Sequence, residues 1–338
     1  MNTWELNYFA SPQNHGNLKI STASSNEQVI DTSELIDSEG NVYPVINGVA
    51  DFRGNSVISD KTKTVLDFYE GRSETYDQYL HLTFLTHNEN ELEVRNGFVD
   101  LLNLSPSSSV LEVAAGSGRD SAIIARRLDS HGTLCVQDLS AGMLAKAKNK
   151  LEKNDCQISM ALADASKLPY KDKVFDAVYS FGGLGEFPDI RAALKEMARV
   201  CKIGGKVVVG DESMPVWWRD TEFARILTIT NPQFNADIPF ADIPVEAKNV
   251  HVRWVIGGVF YIIDFVVGDG QPKGNFDYPI PGPRGGTLRT RYLGQLEAVT
   301  PETKELAHKA RILKGLSMHD WLEQTVKDAA NRDLDSNK

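Results

Sequence analysis

The chain has 338 residues, 41% of them hydrophobic and 24% charged, an ordinary globular composition that excludes a fibrous repeat or a wholly disordered chain. At roughly 150 residues per domain, this length predicts two units, or one domain with extensions. The formal net charge of −10 is spread over both halves, which disfavours a nucleic-acid partner, because phosphate contacts supply most of the affinity in such complexes.

Cys135, Cys156 and Cys201 are too few and too scattered for a disulfide framework, and none has the paired spacing of a zinc site. No metal is therefore expected, and a reducing cytoplasm is the expected location. Residues 1–10 contain Trp4, Glu5 and Asn7 rather than a basic stretch followed by an apolar one, unlike a signal peptide. The longest apolar run, 255–267, is broken by Gly257, Gly258 and Asp264, so no membrane span is expected. A small-molecule partner is favoured; the oligomeric state is left open.

Residues 1–60 are rich in Ser, Asn, Thr and Asp, with short strand-like stretches at 27–31 and 43–49 and turn signals at Glu39-Gly40-Asn41 and Asn47-Gly48. They predict a small β-rich N-terminal appendage. Val65, Phe68 and Tyr69 predict a short helix, and Leu92, Val94, Phe98, Val99, Leu101 and Leu102 a longer one that stops before Ser105-Pro106. Strands at 109–113, 133–137, 157–162, 174–180 and 205–210 then alternate with helices at 119–128, 141–152 and 190–201. That alternation predicts a doubly wound α/β domain.

A helix near 217–229 precedes two β-branched and aromatic runs, 250–256 and 259–267, joined by Gly257-Gly258. A glycine pair between such runs predicts an antiparallel hairpin. The expected core, 61–270, is thus a mostly parallel seven-stranded sheet ending in that hairpin. A Pro/Gly-rich loop at 279–286 and helices at 301–314 and 317–330, with Gly315 as a stop and Ser317 as an N-cap, make 271–338 a helical C-terminal extension.

Val110-Leu111-Glu112-Val113-Ala114-Ala115-Gly116-Ser117-Gly118-Arg119-Asp120-Ser121 is a buried strand running through a glycine turn into a helix, a place for a nucleotide-like ligand. A dinucleotide fingerprint wants a third glycine where Ser121 stands. Glu112, at the strand end, repels a pyrophosphate and suits a cationic ligand. Asp138, twenty residues beyond Gly118 at the end of the next strand, can accept both hydroxyl protons of a ribose.

Together with Ala161-Leu162-Ala163-Asp164-Ala165, Phe175-Asp176-Ala177-Val178-Tyr179-Ser180 and Val200-Cys201-Lys202-Ile203-Gly204-Gly205, these stretches resemble the class I S-adenosyl-L-methionine-dependent methyltransferases, in particular the ubiquinone/menaquinone methyltransferase group. The resemblance covers roughly residues 66–212, and Ala114 stands where that family's first motif has its first glycine. It implies that Glu112, Ala114, Gly116, Ser117 and Gly118 surround the methionyl and ribose parts of S-adenosylmethionine. Asp138 would hold the ribose, and Leu139 and Met143 would flank the adenine. Asp164 would take the adenine amino group beside the backbone N–H of Ala165, Ser180 would face the methyl group, and Tyr76 would cover the entrance.

The resemblance also implies a small-molecule methyl acceptor, contacted from Asp211, Tyr76, Arg291 and Tyr292 as candidate catalytic residues. None of the seven histidines falls in a motif. Structural alternatives stand beside each assignment: a plain strand-to-helix turn for 112–118, an N-cap at Asp138, a turn cap at Asp164, core packing for Tyr76. Competing activities are a nicotinamide-dependent oxidoreductase, a catalytically silent cofactor-binding protein, and a transferase using another methyl carrier. Separately, Glu39-Gly40-Asn41-Val42-Tyr43-Pro44-Val45-Ile46-Asn47-Gly48-Val49 resembles the end of a zinc-ribbon-like segment found with some methyltransferases, but no cysteine precedes Cys135. Such a copy holds no zinc and is expected to be stabilised by packing alone.

Overall fold

The hydrophobic runs become strands of a single sheet in the computed structural model, which describes residues 1–21, 33–54, 63, 64, 66–68, 71, 76–281, 285–293 and 299–335. The expected strand at 27–31, together with Val65, Tyr69 and the side chain of Tyr76, lies outside the described residues. The chain divides into two compact units, Met1–Gln271 and Pro272–Lys338.

In the first unit the strands are β1 (Lys19–Ile20), β2 (Ser33–Ile36), β3 (Val42–Ile46), β4 (Val49–Asp51), β5 (Ser109–Val113), β6 (Thr133–Asp138), β7 (Gln157–Leu162), β8 (Phe175–Phe181), β9 (Cys201–Glu212), β10 (Ala247–Val255) and β11 (Phe260–Val267). Its helices are α1 (Tyr76–Tyr79), α2 (His81–Thr86), α3 (Glu91–Asp100), α4 (Arg119–Ala125), α5 (Ala141–Leu151), α6 (Ile190–Val200) and α7 (Glu222–Thr230). The strand order is β1-β2-β3-β4-β7-β6-β5-β8-β9-β11-β10. Pairing is parallel from β4 through β9 and antiparallel at both ends. Every residue of β6 is buried, as expected for a parallel strand covered by helices on both faces.

The seven expected strands are β5 to β11, but among the described residues the sheet has eleven. The N-terminal strands extend it instead of standing apart: β4 pairs parallel with β7 through Ala50↔Ala161 and Asp51↔Leu162, and Phe52 N–H donates to Leu162 O at 2.7 Å. Without β4 the outer edge of β7 would present unpaired backbone groups. Asn47 and Gly48, both at positive φ (53° and 77°), make the two-residue turn between β3 and β4. Aromatic packing fastens the join, with Phe9 centred 5.5 Å from Tyr170 and 5.2 Å from Phe52.

Packing is not alone in stabilising this segment. The Asp37 carboxylate accepts Ser11 Oγ (2.7 Å), Asn41 N–H (2.9 Å), Asn41 Nδ2 (2.8 Å) and Glu39 N–H (2.9 Å), so a buried anion closes the turn.

At the other end Gly257 and Gly258, at φ 63° and 83°, turn the expected hairpin. Among the described residues no helix is long and apolar enough to cross a membrane. The second unit contains α8 (Leu288–Leu293), α9 (Pro301–Leu313) and α10 (Met318–Asp335). Gly315 stops α9 at φ 65°, and Ser317 Oγ accepts Asp320 N–H at 3.0 Å at the start of α10.

Strand order reverses beside β5, which has β6 on one side and β8 on the other; in doubly wound sheets this opens a crevice at the carboxyl ends. The turn out of β5 is braced from α1. Asp77 accepts Ser117 Oγ and Lys150 Nζ, both at 2.5 Å, and Arg119 Nε at 3.1 Å. Burial pushes the Asp77 carboxyl up, but these three donors outweigh it and hold it at about 2.

A Cβ at Gly118 would lie 2.7 Å from Ala147 Cβ and 2.8 Å from Ala147 Cα, whereas one at Gly116 meets nothing within 4 Å. Gly118→Ala, strained by both left-handed backbone and overpacking, should lower unfolding free energy by about 2–4 kcal/mol, and Gly116→Ala by about 1 kcal/mol, in urea titrations. Because the folded pKa of Asp77 is depressed, its contribution is complete above the unfolded value of 3.8 and fades as pH falls toward about 2. Asp77→Asn should therefore cost roughly 1 kcal/mol at pH 7 and flatten the loss of stability between pH 4 and 2.

Candidate cofactor cleft

Leaving β5, the chain reverses into α4 through three left-handed residues: Ala114 (φ 54°), Gly116 (55°) and Gly118 (77°). Only Gly takes this conformation without strain, so Ala114 needs outside support. Gln137 supplies it. Its Oε1 accepts Ala114 N–H at 3.2 Å and its Nε2 donates to Ala163 O, tying the ends of β5, β6 and β7 together. The sequence signal for Gln137 is faint: a polar residue, buried here, that follows the apolar run Leu134-Cys135-Val136 and directly precedes Asp138.

Asp138 reaches from the end of β6 to the same turn. Gly116 N–H donates to its Oδ2 at 2.7 Å and Ser140 N–H to its Oδ1 at 2.8 Å. The N-cap of α5 is Ser140, whose Oγ accepts Met143 N–H, so Asp138 is not spent on capping. Asp164, after β7, shows the turn-closing contact that the sequence left open: its Oδ1 accepts both N–H and Oγ of Ser166 at 2.8 Å. No hydrogen bond to Asp164 Oδ2 is found among the described residues.

A cleft opens over these strand ends. Of the expected cofactor residues it is lined by Ala114, Gly116, Asp138, Leu139, Met143, Asp164 and Ala165. Its far wall is Gly182, Gly183, Glu186, Phe187 and Pro188, which follow β8, with Leu66 in addition. Three carboxylates and no lysine, arginine or histidine line it among the described residues.

Other expected residues are elsewhere. Glu112 is buried beneath the turn, takes the Ser121 hydroxyl, and has its carboxyl pushed up by burial and by nearby Asp120. Asp120 in turn meets Arg95 Nη1 at 2.8 Å and Tyr179 OH at 3.1 Å, so a buried ionic cluster lies under the glycine turn. Ser117 turns outward to Asp77, and Gly118 serves the contact of α4 with α5. Ser180 is buried, does not line the cleft, and its Oγ has no partner among the described residues.

Of the candidate catalytic residues, Asp211 is buried behind the turn at Leu184–Glu186: Gly185 N–H donates to it, and burial, then Glu212, push its carboxyl up. It steadies the loop that carries Glu186. Arg291 and Tyr292 belong to α8 of the second unit and are exposed. Glu186 is the acid lining the cleft that sequence reasoning missed. It sits in no motif, and only the return of the chain after β8 brings it to the wall.

The methyltransferase domain family matches residues 110–205, which run from β5 into β9 and include this cleft. The demethylmenaquinone methyltransferase of Corynebacterium glutamicum is 41% identical over 116 residues, 34% of this chain and 46% of that protein. That of Mycobacterium marinum is 36% identical over 155 residues, 46% of this chain and 62% of that protein. The chain thus spans about half the length of these curated relatives. An S-adenosylmethionine-dependent methyltransferase from Thermotoga maritima superposes with 16% identity over 60% of this chain and 98% of that one, at a TM-score of 0.44. The domain match agrees with the motif order and with the switch-point cleft: residues 110–205 form a methyltransferase domain.

Proposed function

We propose that this protein transfers a methyl group from S-adenosylmethionine to a small-molecule acceptor, with the donor lying along the cleft from Asp164 to Glu186. The observation that carries this reading is the charge of the cleft: Asp138, Asp164 and Glu186 line it with no basic side chain among the described residues. A pyrophosphate would meet like charge there, and the turn's Gly116 N–H, which a phosphate would need, is already occupied by Asp138. A donor carrying an ammonium and a sulfonium is complementary to such a wall. The nicotinamide alternative is disfavoured on the same ground.

In this reading the Asp138 carboxylate, aimed by two backbone N–H groups, accepts from the ribose hydroxyls. Asp164 Oδ2 accepts from the adenine amino group, and Leu139 and Met143 pack against the ring. Ala114 and Gly116 bound the cleft where a Cβ-poor turn lets the ligand approach the backbone. The bound donor supplies an activated methyl carbon. The chain's part is to hold donor and acceptor in line and keep water out, which is where most of the acceleration of such a displacement arises. The relatives' name, demethylmenaquinone methyltransferase, supports a small-molecule acceptor.

Calorimetric titration with S-adenosylhomocysteine tests the site. Asp138→Ala should weaken binding by at least about tenfold and Asp164→Asn by roughly threefold to tenfold. Unchanged affinity in both variants, or binding of NADH instead, would remove the reading.

A further inference from the structure

The cleft has two ends of different chemistry. Asp138 ends β6 and Asp164 follows β7, so the half above those strands is the adenosine half if the proposed function holds. A donor extended across the strand order β7-β6-β5-β8 then places its methionyl chain over the ends of β5 and β8. That chain ends in an α-ammonium group, which demands an anion or several carbonyl acceptors once it leaves water.

Glu112 was expected to meet this charge, but it is held beneath the turn by Ser121. Asp211 faces the backbone of Gly185. The acid that does line this half of the cleft is Glu186. Its Oε1 accepts Gln233 Nε2 at 2.7 Å, and Gln233 is itself fixed in a short 3₁₀ turn, where its N–H donates to Asn231 Oδ1 at 3.0 Å. Among the described residues Oε2 of Glu186 makes no hydrogen bond. One oxygen is therefore clamped and the other left for a ligand, so little orientational freedom remains to be lost on binding. Gly183 packs tightly here, a Cβ on it falling 2.9 Å from Ala114 Cβ, which brings the loop bearing Glu186 against the turn after β5.

We propose that Glu186, oriented by Gln233, is the binding residue for the α-ammonium group of the cofactor's methionyl chain, taking the place that the sequence pattern assigns to Glu112. This rests on the proposed function, and two ligands separate the two claims. S-adenosylhomocysteine carries the ammonium; 5′-S-(3-carboxypropyl)-5′-thioadenosine is the same molecule without it. In calorimetric titrations of the full chain, Glu186→Gln should weaken S-adenosylhomocysteine about tenfold to a hundredfold and leave the deaminated analogue within twofold. Glu186→Lys should reverse the preference, binding the analogue more tightly than S-adenosylhomocysteine. Equal losses for both ligands, or no loss for either, overturn the assignment of Glu186 while leaving the cofactor site intact. Failure of the unsubstituted protein to bind either ligand overturns the proposed function itself.

Discussion

The cleft depends on one tight reversal. Between Val113 and Arg119 the chain must leave the centre of a buried parallel sheet, expose a few backbone atoms, and start a helix packed against that sheet. Three left-handed residues achieve this, and one of them, Ala114, carries a Cβ. A reversal of that kind is strained by itself and persists because its surroundings over-determine it. Gln137 grips Ala114, Asp138 takes the Gly116 N–H, and Asp77 holds Ser117 and Arg119 from outside. Two separate segments, the end of β6 and α1, thus converge on four residues.

That convergence also sorts the carboxylates. Acids near the turn have three fates, decided by depth. Glu112 and Asp120 lie below it, in a buried cluster with Arg95 and Tyr179. Removing water from such groups is costly, and their mutual hydrogen bonds serve to hold α3, α4 and β8 in register. Asp77 lies outside, exposed enough to stay charged and paired with Lys150 and Arg119. Asp138, Asp164 and Glu186 lie at the level of the cleft, each partly tied to protein donors.

Much of this was legible in the chain. The strand and helix alternation emerged because a parallel sheet buried on both faces needs continuous apolar runs such as Leu134-Cys135-Val136, and these differ visibly from the amphipathic helices between them. Asp138 was readable as an acid at a strand's carboxyl end, and Asp164 through the family resemblance; in the structure Asp164 combines a turn contact with its place in the cleft. The N-terminal strands were legible as strands, but not their partner. Pairing of β4 with β7 joins residues about 110 positions apart, and no local pattern encodes which edge an extended segment will find.

The sequence by itself determined the order of elements, the glycine turn and the acid at the end of β6, since each follows from local backbone chemistry and hydrophobic period, while Asp164 came with the family resemblance. Only the tertiary structure decided that Glu112 faces Ser121 rather than the cleft, that Asp211 supports a loop, and that Glu186 reaches the wall with Gln233 behind it. Side-chain direction depends on which face of a strand or loop meets the neighbouring layer, and that is settled by packing between segments distant in the chain. A motif gives the position of an acid along the backbone; the layer against it determines whether that acid meets a ligand or the protein interior.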